Sequence, residues 1–499
     1  DEIVQLNYNA IDRGANDIVE IEVDPAWANL EVTPLNEPKE TAGCGGCCPT
    51  PSDFVKNIAK PINAIKGNDL PVSAFLGYED GTFENGTSAF EKRGVAVDVP
   101  IWDVDKCIQC NQCSYVCPHA AIRPFLINED ELKASPEPLA TKKAVGKGLD
   151  GLAYRIQVSA LDCVGCGSCA HVCPAPGKAL VMRPIAESLE AHEDVKTDYL
   201  YNNVDYRSDL MPVDTVKGSQ FSKPLFEFHG ACPGCGETPY IKLITQLYGD
   251  RMMVANATGC SSIYSGSAPS TPYTTNKNGE GPSWGSSLFE DNAEYGFGMH
   301  VGVEALRSRI QHAMEENMDK VDEDIATLFK DWIANRQFSV RTREIRDILV
   351  PKLEALNTDF AKEILDLKQY LVKKSQWIIG GDGWAYDIGY GGLDHVLASN
   401  EDINILVVDT EVYSNTGGQA SKSTPTGAVA KFAAAGKPVK KKDLAAIAMS
   451  YGHIYVAQVS MGANQQQALK AIKEAEAHQG PSIIIAYSPC INHGIKKGM

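Results

Sequence analysis

The sequence predicts an α/β fold, a parallel sheet with helices on both faces, preceded by a smaller α+β domain organised around cysteines. Three observations predict it. In the last part of the chain, short apolar strands alternate with helical stretches. "WIIGG", "INILVVDTE", "HIYVAQVSM" and "PSIIIAYSP" read as strands, and "KKDLAAIAMSYG" and "ANQQQALKAIKEAEAHQG" as helices. That alternation predicts a parallel sheet covered on both faces. Eight cysteines stand in two tight runs between residues 107 and 173. Finally, 499 residues with 43% hydrophobic and 22% charged content allow several domains and a large buried core.

Composition also excludes several classes. A formal charge of −18 argues against nucleic acid, whose binders need a basic face. It leaves room for a local basic patch toward a small acidic carrier. No apolar run reaches the roughly 18 residues of a membrane span. The start, "DEIVQLNYNAIDRGA", lacks the basic and apolar stretches of a signal peptide and reads as a piece of a longer polypeptide. Fifteen cysteines, most of them in ligand-like spacings, suit a reducing cytosol rather than a disulfide scaffold. A cytoplasmic protein is expected.

Taken in order, residues 1–52 read as a linker or the end of an upstream domain. They contain Cys44, Cys47 and Cys48 in "TAGCGGCCPTP", read as exposed thiols on a flexible stretch. Residues 53–100 read as a connecting segment, with "EKRG" (91–94) as a salt-bridged turn. Residues 101–215 read as a ferredoxin-like domain. Its runs, "CIQCNQCSYVCP" (107–118) and "CVGCGSCAHVCP" (163–174), both follow Cys-x2-Cys-x2-Cys-x3-Cys-Pro, the bacterial pattern for [4Fe–4S] clusters. Three close thiolates converge on one cube, and the fourth, expected at the start of a helix pointing away, reaches the other. The predicted sets are Cys107, Cys110, Cys113 and Cys173 for one cluster, and Cys163, Cys166, Cys169 and Cys117 for its neighbour. Four cysteines also hold zinc, but three in close succession before Cys-Pro fit a tetrahedron poorly. The stretch "LKASPEPLATKKAVGKGLDG" between the runs reads as a solvated excursion.

Residues 216–499 carry the predicted parallel sheet, with a charged, amphipathic helical insertion at about 300–375. At its start, "ACPGCGE" holds Cys232 and Cys235, two thiols that by themselves suit a redox pair, a zinc knuckle or half a cluster site. Further on, "WIIGG" runs into Gly381-Asp382-Gly383-Trp384. An aspartate flanked by glycines at a strand end is well placed to hold Mg²⁺ against a diphosphate, with backbone N–H groups approaching the phosphate oxygens. From Gly383 to Thr410 there are 26 intervening residues (384–409), one helix and one strand, so the second strand end returns beside the first. This arrangement resembles the thiamine-diphosphate motif, with Thr410 where an asparagine is usual. Asp382, Thr410 and the carbonyl of Val412 are the expected Mg²⁺ ligands. The "KPVKKKD" run (437–443) reads as a solvated helix start.

"GTSAFEKRGVAVDVP", "CPGCGE", "ATGCSS", "GDGWAYDIGYGG", "DTEVYSNTGGQ" and "SPCINHG", in that order, resemble the pyruvate:ferredoxin (flavodoxin) oxidoreductase family over roughly residues 60–499. The resemblance implies oxidative decarboxylation of pyruvate, transfer of the acetyl group to coenzyme A, and two electrons delivered singly to ferredoxin or flavodoxin. It implies thiamine diphosphate, Mg²⁺ and three [4Fe–4S] clusters, the third held by Cys232, Cys235, Cys260 and Cys490. Glu237 and Cys260 would border the thiamine, Gly381, Gly383 and Trp384 would line its site, and Asn415 would face the substrate. His493 would tune the cluster or make a structural hydrogen bond. A homodimer is implied, as are upstream pyrimidine-binding and coenzyme A domains that this sequence does not show. Two other readings remain: an oxidoreductase for another 2-oxo acid, and a non-catalytic polyferredoxin-type electron-transfer subunit.

Overall fold

The computed structural model describes residues 2–29, 50–267 and 269–494, and Cys44, Cys47 and Cys48 lie outside them. Residues 1–43 form one unit, in which the helix Glu2–Asn16 buries none of its residues. Residues 44–499 form the second unit.

Within this second unit, β1 (Asp98–Trp102) pairs antiparallel with β5 (Leu180–Pro184). β2 (Ile122–Ile127) pairs antiparallel with β4 (Ala153–Val158), and the two-residue β3 (Lys142–Lys143) adds to the other edge of β4. The two cysteine runs repeat one backbone design. Gln109 and Asn111 in the first, and Gly165 and Gly167 in the second, take the left-handed conformation at matching places. Each pair turns the chain into a short helix, Gln112–Tyr115 or Ser168–Val172. The fourth cysteine therefore follows a helix that carries the third, and does not begin one as expected. The next residue is proline, which disfavours helical conformation in the residue before it and ends the helix there.

Six parallel strands form the main sheet in the order β12-β13-β9-β8-β6-β7. They are β6 (Met252–Ala257), β7 (Ser283–Ser287), β8 (Ser375–Gly381), β9 (Asn404–Asp409), β12 (Tyr455–Val459) and β13 (Ser482–Tyr487). The small hairpin β10 (Val412–Tyr413) and β11 (Gln419–Ala420) stands apart from it. Alternation splits the apolar residues between two cores. Trp377, Ile379, Leu406, Val408 and Ile484 meet the helices Thr238–Tyr248 and Gln465–Ala477. Ile378, Ile405, Val407, Ile483 and Ile485 meet Tyr390–Ala398 and Leu444–Met449 on the other face.

The helical insertion runs from Asn292 to Asp366 in four helices between β7 and β8, with its own core around Trp332 and Phe329. It starts earlier than the charged pattern indicates, because the first turns of Asn292–Glu316 cover the sheet through Ala293. The sequence reading lacks β7: "SWGSS" is polar, carries glycine and shows no alternation.

Candidate functional site

The carboxyl ends of β6, β8 and β9 open into one cavity. Its lining includes Thr258–Ser261 after β6, Gly381–Gly383 after β8, Thr410 and residues 412–416 after β9, with Glu237 and Phe289. The predicted residues Glu237, Cys260, Gly381, Asp382, Gly383, Thr410, Val412 and Asn415 thus meet at one place. Trp384 does not join them. Its indole is fully buried under Gly380 and Gly389, where any Cβ would fall within 2.4 Å and 2.2 Å of the ring.

Asp382 is 1% exposed. Its carboxylate accepts from Thr410 Oγ1 at 3.1 Å and from Ser421 Oγ at 2.5 Å, with no basic side chain in ion-pair range among the described residues. Burial, and then the neighbouring Asp409, push its carboxyl up to about 8. Thr410 Oγ1 also stands 2.9 Å from the Val412 carbonyl and 2.7 Å from Ser414 Oγ. A carboxylate, a hydroxyl and a carbonyl drawn together are hard oxygen donors, so this donor set fits Mg²⁺, and a cation would relieve the buried charge. Asp409 is already satisfied by Lys441 at 2.8 Å, Ser423 Oγ at 2.6 Å and Tyr386 Oη at 3.0 Å. The lysine run is accordingly not a solvated helix start throughout. Asp443 caps the helix Leu444–Met449, but Lys437 is buried and donates to the carbonyls of Ser421 and Thr424, bracing the loop over Asp382.

The cysteines collect as three sets. One cavity is lined by Cys107, Cys110, Cys113 and Cys173, with Trp102 and Tyr154. A second is lined by Cys163, Cys166, Cys169 and Cys117, with His119. Each run thus lends its fourth cysteine to the other. Gln109 N donates to Cys107 Sγ and Gly165 N to Cys163 Sγ, both at 3.4 Å, the repeated consequence of the left-handed turns. The stretch between the runs is largely exposed, as expected, but it is anchored over the first set at a few residues. Lys142 Nζ donates to the carbonyls of Val104 and Cys107 at 2.8 Å, and Leu149 is fully buried.

The third set comes from loops far apart in the chain. Gly236 N donates to Pro489 O at 3.1 Å, which draws the Cys232–Cys235 turn against the loop holding Cys490. The thiol of Cys260 is pushed up by burial, then by Glu237, Cys235, Cys490 and Cys232. His493 accepts from Cys490 N at 3.3 Å and reaches the Thr410 carbonyl at 2.6 Å, tying this loop to the cavity wall after β9 by structural hydrogen bonds. Among the described residues, no three Cys, His, Asp or Glu side chains close on a single ion.

Sequence reading missed the residues that hold these groups. Tyr264 donates to Glu237 at 2.8 Å, and burial pushes that carboxyl up to about 7. His119 and His229 stack at 4.3 Å between the second set and the Cys232 turn. Lys92 pairs with Asp162 beside Cys163 at 2.6 Å, and Arg93 donates to the His229 carbonyl at 3.0 Å. The "EKRG" turn is salt-bridged as expected, and it also clamps two cysteine loops.

Three family models match. A thiamine pyrophosphate enzyme C-terminal binding domain covers residues 367–486, a 4Fe-4S dicluster domain covers 106–176, and a domain of unknown function named EKR covers 48–96. Two relatives are each 52% identical. They are a pyruvate:ferredoxin oxidoreductase from Moorella thermoacetica, over 99% of this chain and 42% of its own length, and a pyruvate-flavodoxin oxidoreductase from Enterobacter agglomerans, over 100% and 42%. Over its whole length this chain is homologous to pyruvate:ferredoxin and pyruvate-flavodoxin oxidoreductases. It spans about two fifths of the length of these curated relatives. A pyruvate dehydrogenase [NADP(+)] from Cryptosporidium parvum is 45% identical over the whole chain and 28% of its own length. A thiamine pyrophosphate-binding domain and a 4Fe-4S dicluster domain are therefore both present here, on the fold described above.

Proposed function

We propose that this chain carries the thiamine and electron-exit part of an enzyme that oxidatively decarboxylates pyruvate with coenzyme A, giving acetyl-CoA and CO₂. Electrons would leave through three [4Fe–4S] clusters to ferredoxin or flavodoxin. One observation carries the reading: Cys260 lines the cavity of the Gly-Asp-Gly motif together with Glu237 and also neighbours Cys232, Cys235 and Cys490. An electron-transfer subunit without catalysis has no use for a diphosphate site beside its thiols.

When bound, thiamine diphosphate supplies the decarboxylation chemistry of 2-oxo acids. The chain's own residues bind and orient. Asp382, Thr410 and the Val412 carbonyl would hold Mg²⁺, and the Gly381–Gly383 backbone would approach the diphosphate. Asn415 would face the substrate. Glu237, held by Tyr264 and buried, would keep a proton near neutral pH at the wall between cavity and thiols. Cys232, Cys235, Cys260 and Cys490 would hold the first acceptor, and the two ferredoxin-type sets would relay electrons outward. Upstream pyrimidine-binding and coenzyme A domains, a homodimer and a cytoplasmic setting complete the proposal. No helix among the described residues is long and apolar enough to cross a membrane.

The test uses the complete protein. About twelve irons per chain, bound thiamine diphosphate, and ferredoxin reduction that needs both pyruvate and coenzyme A are expected. Eight or fewer irons without thiamine would sink the enzyme reading. Equal or better rates with 2-oxoglutarate would overturn the substrate.

A further inference from the structure

Lys242 is a buried cation that the proposed chemistry leaves unused. It lies in the helix Thr238–Tyr248 and is 1% exposed. Its Nζ donates to the carbonyls of Tyr115, at 3.0 Å, and Ser114. Among the described residues no carboxylate pairs with it, in contrast to its buried neighbour Arg123, which pairs with Glu227. An amine taken out of water without a counter-ion is costly, and a methionine would fill the same space more cheaply.

Its two acceptors lie at a special place. Ser114 and Tyr115 fall between Cys113 and Cys117, which line different cavities, the first set and the second. Residues 114–116 are therefore the strip of chain between the two cluster sites. Burial pushes the amine down to about 8 and Arg123 adds to this, while the thiols of Cys117 and Cys113 favour the ammonium form. Clusters with four thiolates are anionic, and net charge is one of the settings of their potentials.

We propose that Lys242 is the shared buried counter-charge of the two ferredoxin-type clusters, reaching them through the Ser114 and Tyr115 carbonyls and raising the potentials of both. The inference rests on the cluster assignment of the two cysteine runs and not on the identity of the substrate. Lys242 is a positioning residue; it touches neither substrate nor reacting atoms.

The test compares Lys242→Gln, Lys242→Met and Lys242→Arg in the holoprotein, by iron content and by redox titration followed by electron paramagnetic resonance. Gln keeps a donor for the carbonyls and loses the charge. A unit charge acting over about 12 Å at an effective dielectric near 20 should change the reduced-to-oxidised ratio at fixed potential about tenfold, or ~59 mV for a one-electron couple. Gln and Met are expected to lower the midpoints of the ferredoxin-type pair, with Arg close to the parent. Loss of these clusters in Gln and Met but not Arg would also support the charge. Unchanged midpoints in Gln or Met at full iron would overturn the proposal, as would loss of iron in all three, which assigns Lys242 to packing alone. Pyruvate turnover, whether present or absent, does not enter the readout.

Discussion

Gly236 shows how one missing side chain builds a site. A Cβ there would stand 2.5 Å from Pro489 N and 2.6 Å from Pro489 O, both backbone, so neither can swing aside. Gly236→Ala should separate the Cys232–Cys235 turn from Cys490, costing about 1–3 kcal/mol of strain and about four irons per chain. Iron analysis with a urea titration checks both, and full iron would show that the third set tolerates the shift. Asp382 works through charge instead. It is a buried carboxylate held by hydroxyls, so Asp382→Asn should weaken Mg²⁺-dependent thiamine diphosphate binding at least ~10-fold and leave iron content unchanged. Calorimetry of thiamine diphosphate binding with and without Mg²⁺ reads this. Both residues were legible as special in the motifs CPGCG and GDG, but the reasons were not. The first needs a partner 253 positions away and the second needs Ser421, which no local pattern singles out.

Each cysteine run is a unit whose geometry repeats, and the repeat decides which thiols share a site. The helix Gln112–Tyr115 carries Cys113 toward the first cavity and delivers Cys117 to the second. Cys117 and Cys163 should therefore serve one cluster. Cys117→Ala and Cys163→Ala are each expected to lose about four irons, and the double variant no more than either alone. A double variant that loses about eight would place each cysteine with its own run. The exchange of fourth cysteines followed from the spacing, because a three-residue gap carries Sγ past the first cube. The direction of the helix did not, since a one-turn helix entered by left-handed residues has no sequence period to read. In the sheet, β8 and β9 were legible as apolar runs, whereas β7 was not, being a polar edge strand whose pairing with β6 supplies what its composition lacks.

At the scale of the whole molecule, buried polar links join the cysteine layers to the main sheet. Arg123 on β2 pairs with Glu227 ahead of the Cys232 turn, bonds Tyr206 Oη at 2.8 Å and lies over the ring of Tyr201. Arg123→Met leaves Glu227 buried without its counter-charge. It should cost about 3–5 kcal/mol, and adding Glu227→Gln should recover part of that. Urea midpoints of the three variants measure it, and additive losses would mean that the pair is not coupled. Nothing in the sequence joins an arginine in one strand to a glutamate 104 residues later. The same holds for Tyr115 Oη on the Gln465 carbonyl and for Lys242 on Ser114 and Tyr115. By itself the sequence determined the α/β class, the two cluster runs and the edge of the sheet where the site lies. Those follow from alternation and spacing, which are local quantities. Only the tertiary structure decided which buried charges meet, that Trp384 supports the floor of the sheet instead of the cavity, and that Cys260 and Glu237 line the cavity beside the thiol of Cys235. Such contacts arise where strand ends converge, and the sequence distance between the partners carries no trace of the distance in space.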